Sequence, residues 1–266
     1  MKVGYIQFAP RLGDLEANRR AVERRVREAP PADLLVLPEL CSSGYRFASR
    51  EQARQCSEPA AGGPFVELLE RLSRERGCSL VSGFCERDGD RLFNSAVLVT
   101  PDGLRGVYRK LHLFLDEKDL FTPGDLGLPV FDLPPCRVGV LICFDWQFPE
   151  AWRVLALRGA DLVCHPSNLV LPGLAQRSIP AHALLNRLFV VTANRIGVES
   201  DLSFTGRSII VEPKGRVLHE ADPEAEETYV AEIDPRLARD KSVTTRNDLL
   251  ADRRPEHYGD LLRPPR

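Results

Sequence analysis

The 266-residue chain contains no apolar run approaching the roughly 18 to 20 residues of a membrane-spanning helix, so no membrane is expected as a partner. It also lacks a charge excess. Thirty-six Lys and Arg stand against 38 Asp and Glu, a net charge of −2, and nothing in that balance points to nucleic acid. The arginines between Arg19 and Arg27 are interleaved with Glu23 and flanked by Glu16 and Glu28, which reads as a solvated helix face. The five histidines are scattered, and no two of the seven cysteines have the CxxC spacing of a zinc knuckle or redox pair. No metal site is legible and no cofactor is expected. Walker A, HExxH and GxSxG motifs are missing, and Gly124 to Gly127 reads as a turn, not a phosphate loop. The amino terminus has one short apolar run broken by Pro10 and Arg11, with no signal-peptide core. An odd number of free thiols fits a reducing compartment, and the expected location is the cytoplasm. With no repeat, low-complexity linker or break in composition, residues 1–266 read as one domain. A polar, Pro/Arg-rich stretch from about residue 239 would form an arm over the surface or over a partner subunit.

What is present alternates between two periodicities. Lys2 to Phe8, Leu34 to Leu37, Leu80 to Phe84, Ser95 to Val99 and Gly106 to Lys110 read as strands. Pro101-Asp102-Gly103 is a hairpin turn. Leu15 to Glu28 and Pro64 to Arg76 have helical spacing, the second closed by Gly77 as a C-cap. The second half repeats the theme. Val138 to Ile142 is a buried strand, and Glu150 to Arg158 is a helix stopped by Gly159. Asp161 to His165 is a strand, Ile179 to Arg187 a helix, and Phe189 to Ala193, Arg207 to Val211 and Tyr229 to Ile233 are strands. Helices flanking strands in both halves predict an α/β fold of sheets covered by helices.

Three residues capable of chemistry stand at the carboxyl ends of apolar strands: Glu39, Lys110 and Cys143. Ligands collect outside strand carboxyl ends in open α/β sheets, so a sulfur there faces a pocket. A carboxylate can take the thiol proton and return it to a leaving amine. An ammonium can stabilise the oxyanion of a tetrahedral intermediate, which is worth about 3 kcal/mol per donor. Glu, Lys and Cys therefore form a complete acyl-transfer set without histidine. Each residue alone also fits a bland role, as a buried small hydrophobe or a solvated loop charge.

The wording around these positions carries further. VLPEL (Val36 to Leu40), YRKLHLF (Tyr108 to Phe114) and ICFDWQFPE (Ile142 to Glu150) resemble, in order, the three signature segments of the nitrilase superfamily of carbon–nitrogen hydrolases. The likeness extends to Tyr229-Val-Ala-Glu-Ile-Asp234 and is nearest to short archaeal-type nitrilases and aliphatic amidases. It implies a four-layer αββα sandwich that pairs into an eight-layer dimer or a higher even oligomer, with the helices Glu150 to Arg158 and Ile179 to Arg187 as contact faces. It also implies Glu39 as general base and acid, Lys110 as oxyanion stabiliser and Cys143 as nucleophile, with the Phe144 N–H completing the oxyanion hole. Glu117 matches a second glutamate that orients the lysine or the substrate. Phe144, where relatives carry Tyr or Trp, and Gln147, where they carry Arg, are departures that bear on substrate choice. Tyr45, Trp146, His165 and Asn168 are expected to shape the substrate pocket, and Arg195 to contact substrate or the dimer. His112 is expected to pack or hydrogen-bond. The expected substrate is a small aliphatic amide or nitrile, with amidase and nitrilase activity both open. The alternatives are a non-catalytic binding or scaffold relative, or the glutaminase part of a larger synthetase whose nucleotide-binding domain is not in this chain.

Overall fold

A computed structural model describes residues 1–263. The first half runs β1 (Lys2–Gln7), α1 (Leu15–Glu28), β2 (Leu34–Val36), α2 (Arg50–Gln55), α3 (Pro64–Arg76), β3 (Ser79–Asp88), β4 (Arg91–Thr100) and β5 (Gly103–Arg109). After α4 (Glu117–Leu120) come β6 (Val130–Leu133), β7 (Cys136–Val140), α5 (Pro149–Leu157), β8 (Leu162–Pro166), α6 (Leu174–Asn186) and β9 (Phe189–Ala193). The chain then forms β10 (Val198–Glu199), β11 (Leu202–Ser203), β12 (Ile209–Val211), β13 (Val217–Glu220), β14 (Glu227–Glu232) and α7 (Arg236–Arg239).

These build two six-stranded sheets, ordered β14-β1-β2-β3-β4-β5 and β13-β12-β9-β8-β7-β6. The centre of each is parallel, β1-β2-β3 in one and β7-β8-β9 in the other, and the flanks are antiparallel. Strands buried on both faces must be apolar at every position, and side-chain alternation sorts those positions. Val3, Tyr5, Leu34 and Val36 turn inward to meet Val138, Val140 and Leu162 of the other sheet. Ile6, Leu35, Leu37 and Leu80 turn outward against Val22 and Val26 of α1 and Leu69 and Leu72 of α3. Trp152 and Leu155 of α5, with Ile179 and Ala183 of α6, cover the second sheet. The result is a four-layer αββα sandwich, as expected from the resemblance.

Local chemistry sets most element ends. Asp14 caps α1 by accepting the Ala17 N–H at 3.0 Å. Pro64 opens α3, and Gly77, at φ 59°, closes it in the left-handed conformation. Three features depart from expectation. The β3–β4 hairpin is much longer than its apolar centre, because Cys85 to Asp88 pair with Arg91 to Asn94 around Gly89. Helix α6 begins five residues before Ile179 and contains Pro180, so the proline does not mark its start. The edge strands β6 and β13 have weak apolar signals because each is only partly covered.

Candidate active site

Glu39, Lys110 and Cys143 are brought together where strands of the two sheets end. Glu39 follows β2 on a turn that lies across β3. Leu37 N–H donates to the Val81 carbonyl, and Cys41 N–H to the Gly83 carbonyl. A Cβ at position 83 would sit 2.4 Å from the Glu39 Cα, so glycine is what lets this turn approach the sheet. Lys110 directly follows β5, and its Nζ donates to Glu39 Oε1 at 2.7 Å and to Glu117 Oε1 at 2.8 Å. Glu117 opens α4 and also accepts the Tyr45 hydroxyl at 2.7 Å. The charged ends of Glu39, Lys110 and Glu117 are all buried. Burial alone would push the Lys110 ammonium down, but the carboxylates of Glu117 and Glu39 outweigh it and hold it above its usual value. Burial raises the Glu117 carboxyl, with Lys110 opposing.

Cys143 begins a 3-10 turn, Cys143–Gln147, just beyond β7, and its φ is 43°. A non-glycine residue in that region is strained and persists only when its surroundings hold it there. Asp145 supplies much of that hold. Fully buried, it accepts the Ile142 N–H at 2.9 Å, the Tyr108 hydroxyl at 2.7 Å, the His112 N–H at 3.2 Å and a contact from His112 Nδ1 at 2.7 Å. Burial pushes the Cys143 thiol well above its ordinary value. Glu39 adds to the rise, while Lys110 and the Asn168 backbone N–H oppose it.

Beside the sulfur lies a narrow cleft open to solvent. Phe114, Phe144, Trp146, Leu169, Val170 and Leu171 line it. Asn168 is the polar residue of the lining, and its Nδ2 also donates to the Glu39 carbonyl at 3.0 Å.

Two sequence expectations need correction. His165 does not line the cleft. It is fully buried, and its Nε2–H donates to the Cys143 carbonyl at 2.9 Å, while Thr192 Oγ1 lies 3.1 Å from its Nδ1. Its strand, β8, is parallel to β7 and sets it beneath the Cys143 turn. Tyr45 stands beside the Lys110 cluster, its hydroxyl donating to Glu117. Arg195 reaches neither cleft nor surface. It is 1% exposed, ion-paired with Glu199, bonded to the Pro10 carbonyl at 3.0 Å and stacked on Phe204. Glu199 in turn accepts the backbone N–H groups of Tyr45 and Arg46, both at 2.9 Å, so this pair braces the loop carrying Tyr45. Asp145 and Asn94 went unnoticed in the sequence. Asn94 Nδ2 donates to Glu39 Oε1 at 2.7 Å. A polar residue at an otherwise apolar strand position was the available signal.

His165 yields a measurable consequence. Burial pushes its imidazole down to about 4, with the Cys143 carbonyl opposing. The folded value lies below that of the unfolded chain, so folding favours the neutral ring. Its contribution is present above about pH 6.5 and is lost as pH falls through about 4, an effect of about 3 kcal/mol. The His165→Gln variant is therefore expected to lose less stability than the parent between about pH 7 and about pH 4.5, read from urea midpoints at constant m. Identical losses in the two proteins would refute this.

Residues 2–241 match the family model described as carbon-nitrogen hydrolase. Together with the two-sheet sandwich and the buried Cys, Glu and Lys at its strand ends, this places the chain in the carbon–nitrogen hydrolase family, and it is an enzyme of that class. Among curated proteins it is 46% identical over 260 residues to a nitrilase of Pyrococcus abyssi, covering 97% of this chain and 99% of that one. It is 40% identical over 258 residues to an (R)-stereoselective amidase of Pseudomonas sp., covering 96% and 92%. Among solved structures, a variant of the amidase of Nesterenkonia sp. AN1 superposes with a TM-score of 0.83 at 27% identity, covering 98% of this chain and 96% of that one. That variant shows covalent addition of the acetamide moiety of fluoroacetamide at its active-site cysteine.

Proposed function

We propose that the enzyme hydrolyses the carbon–nitrogen bond of small aliphatic amides or nitriles through a Cys143 thioester, releasing ammonia. One observation carries this reading. Glu39 is fully buried, its Oε1 is held by Lys110 and Asn94, and its Oε2 has no hydrogen-bond partner among the described residues. An orphaned buried carboxylate oxygen is costly unless it has a use. A neighbouring thiol whose burial keeps it protonated needs a base, and this oxygen can serve. The adduct at the cysteine of the Nesterenkonia amidase supports the choice of nucleophile.

For an amide, Glu39 takes the Cys143 proton as Sγ bonds to the carbonyl carbon. Lys110 and the Phe144 N–H stabilise the oxygen that gains charge. The C–N bond then breaks, Glu39 returns the proton to the departing ammonia, and a thioester remains. Water, deprotonated by Glu39, attacks the thioester, and the acid leaves as the thiol reforms. Glu117, hydrogen-bonded to both Lys110 and Tyr45, orients the ammonium. Amides and nitriles share ammonia as a product, so ammonia release across matched amide–nitrile pairs tests the reading and assigns the preference. Absence of ammonia from every member of such a panel would remove it.

The oligomer belongs to the same proposal. Leu157 of α5 and Leu184 and Leu185 of α6 are 44%, 45% and 53% exposed, an apolar surface that supports pairing through these helices. The family match across residues 2–241 supports a single domain. The stretch beyond Arg239 reads as its arm, with Lys241 Nζ bonded to the Asn186 and Arg187 carbonyls at the end of α6. The seven free cysteines support a cytoplasmic location. Among the described residues no helix is long and apolar enough to cross a membrane.

A further inference from the structure

We infer that the enzyme selects amides and nitriles whose acyl side chain is small and uncharged, and rejects those bearing a carboxylate or an ammonium, because the cleft beside Cys143 offers no counter-charge. This deepens the hydrolase reading and rests on it.

The cleft has two ends with opposite characters. At the reacting end Cys143 lines the cleft, beside the buried cluster in which Lys110 bonds Glu39 and Glu117. The outer end, where an acyl side chain must lie, is formed by Phe114, Phe144, Val170 and Leu171, and among the described residues none of its lining side chains is charged. The aromatic side is also braced. Phe114 packs on Phe144 at 4.9 Å, Phe144 meets Phe148 edge-on at 5.5 Å, and Phe148 stacks on His112 at 3.5 Å. His112 is anchored in turn by Asp145. The wall is thus tied to the turn that carries Cys143. Arg195 is sequestered by Glu199 and Pro10, and Arg46 by Asp116 and Asp201. Neither is free to meet a substrate carboxylate.

An ion moved from water into such a cleft without a partner loses its hydration and gains nothing in return. A substrate carboxylate would also face the formal excess of two carboxylates over one ammonium at the reacting end. An ammonium would be drawn by that excess, but the cleft lining offers it no carboxylate to pair with.

The test uses isosteric pairs and ammonia release from the intact enzyme. Butanamide is compared with 3-aminopropanamide, and 3-methylbutanamide with malonamate. The neutral member of each pair is expected to have the higher kcat/KM by about 100-fold or more. A smaller ratio in either pair overturns the inference. In the Val170→Arg variant, the ratio of 3-methylbutanamide to malonamate is expected to fall by about 10-fold or more, as the new cation meets the carboxylate. An unchanged ratio in a folded, active variant counts equally against it. Ammonia from charged and neutral amides alike would sink only the selectivity. Ammonia from none would sink the hydrolase reading itself and the inference with it.

Discussion

The Cys143→Ala variant is expected to lose turnover by about 10⁴-fold or more in kcat while still binding the amide, because the step that forms the new bond loses its nucleophile and the rest of the site stays assembled. Asp145 and His165 hold the Cys143 turn through backbone groups that the substitution leaves in place. The contacts among Glu39, Lys110 and Glu117 do not involve the sulfur. Calorimetric titration of the variant with butanamide would read the retained binding, and ammonia release the lost chemistry. Quenched mass spectrometry of the parent protein should find the acyl group on the peptide containing Cys143. Parent-like hydrolysis by the variant, or an acyl group on another residue, would reject the proposed scheme.

Loss of the Lys110 ammonium is expected to damage folding and catalysis together. In Lys110→Met the carboxylates of Glu39 and Glu117 lose the cation they share. Removing one partner of a buried ion cluster costs about 3–5 kcal/mol, since the remaining charge is left desolvated and unpaired. Catalysis should fall by about 10²-fold or more through loss of an oxyanion donor. The double variant Lys110→Met/Glu117→Gln separates the two effects. Neutralising Glu117 relieves the repulsion and should recover part of the stability, with no recovery of activity. Urea unfolding and ammonia release read the two quantities independently. A Lys110→Met protein as stable as the parent would show that the cluster does not depend on its cation.

The two variants bear on features of different visibility in the sequence. Cys143 was legible because a strand pattern, a turn and a helix start occur within one short stretch. Its neighbours were less so. Asp145 stands two residues further on, yet its importance lies in accepting from Tyr108 and His112, contacts that no local pattern announces. His165 shows the same limit from the other side. Its position at the end of a strand suggested a pocket, but parallel pairing of β7 with β8 turns the ring onto the Cys143 carbonyl instead. Arg195 was expected to contact substrate or a partner subunit, a role that burial reverses, because it finds its partners only after distant segments meet.

The sequence by itself determined the elements and the chemistry available. Apolar runs buried on both faces became central strands, Asp14 and Gly77 bounded helices, and Glu39, Lys110 and Cys143 stood at strand ends. These signals are local, arising from side-chain periodicity and backbone preference over a few residues. Only the tertiary structure decided which groups share a proton or a charge. Lys110 and Glu39 are 71 residues apart in the chain and 2.7 Å apart in the fold, and Asn168 reaches the Glu39 carbonyl across 129 residues. Such contacts depend on how two sheets and their turns pack, and packing is a property of the whole core, not of any segment within it.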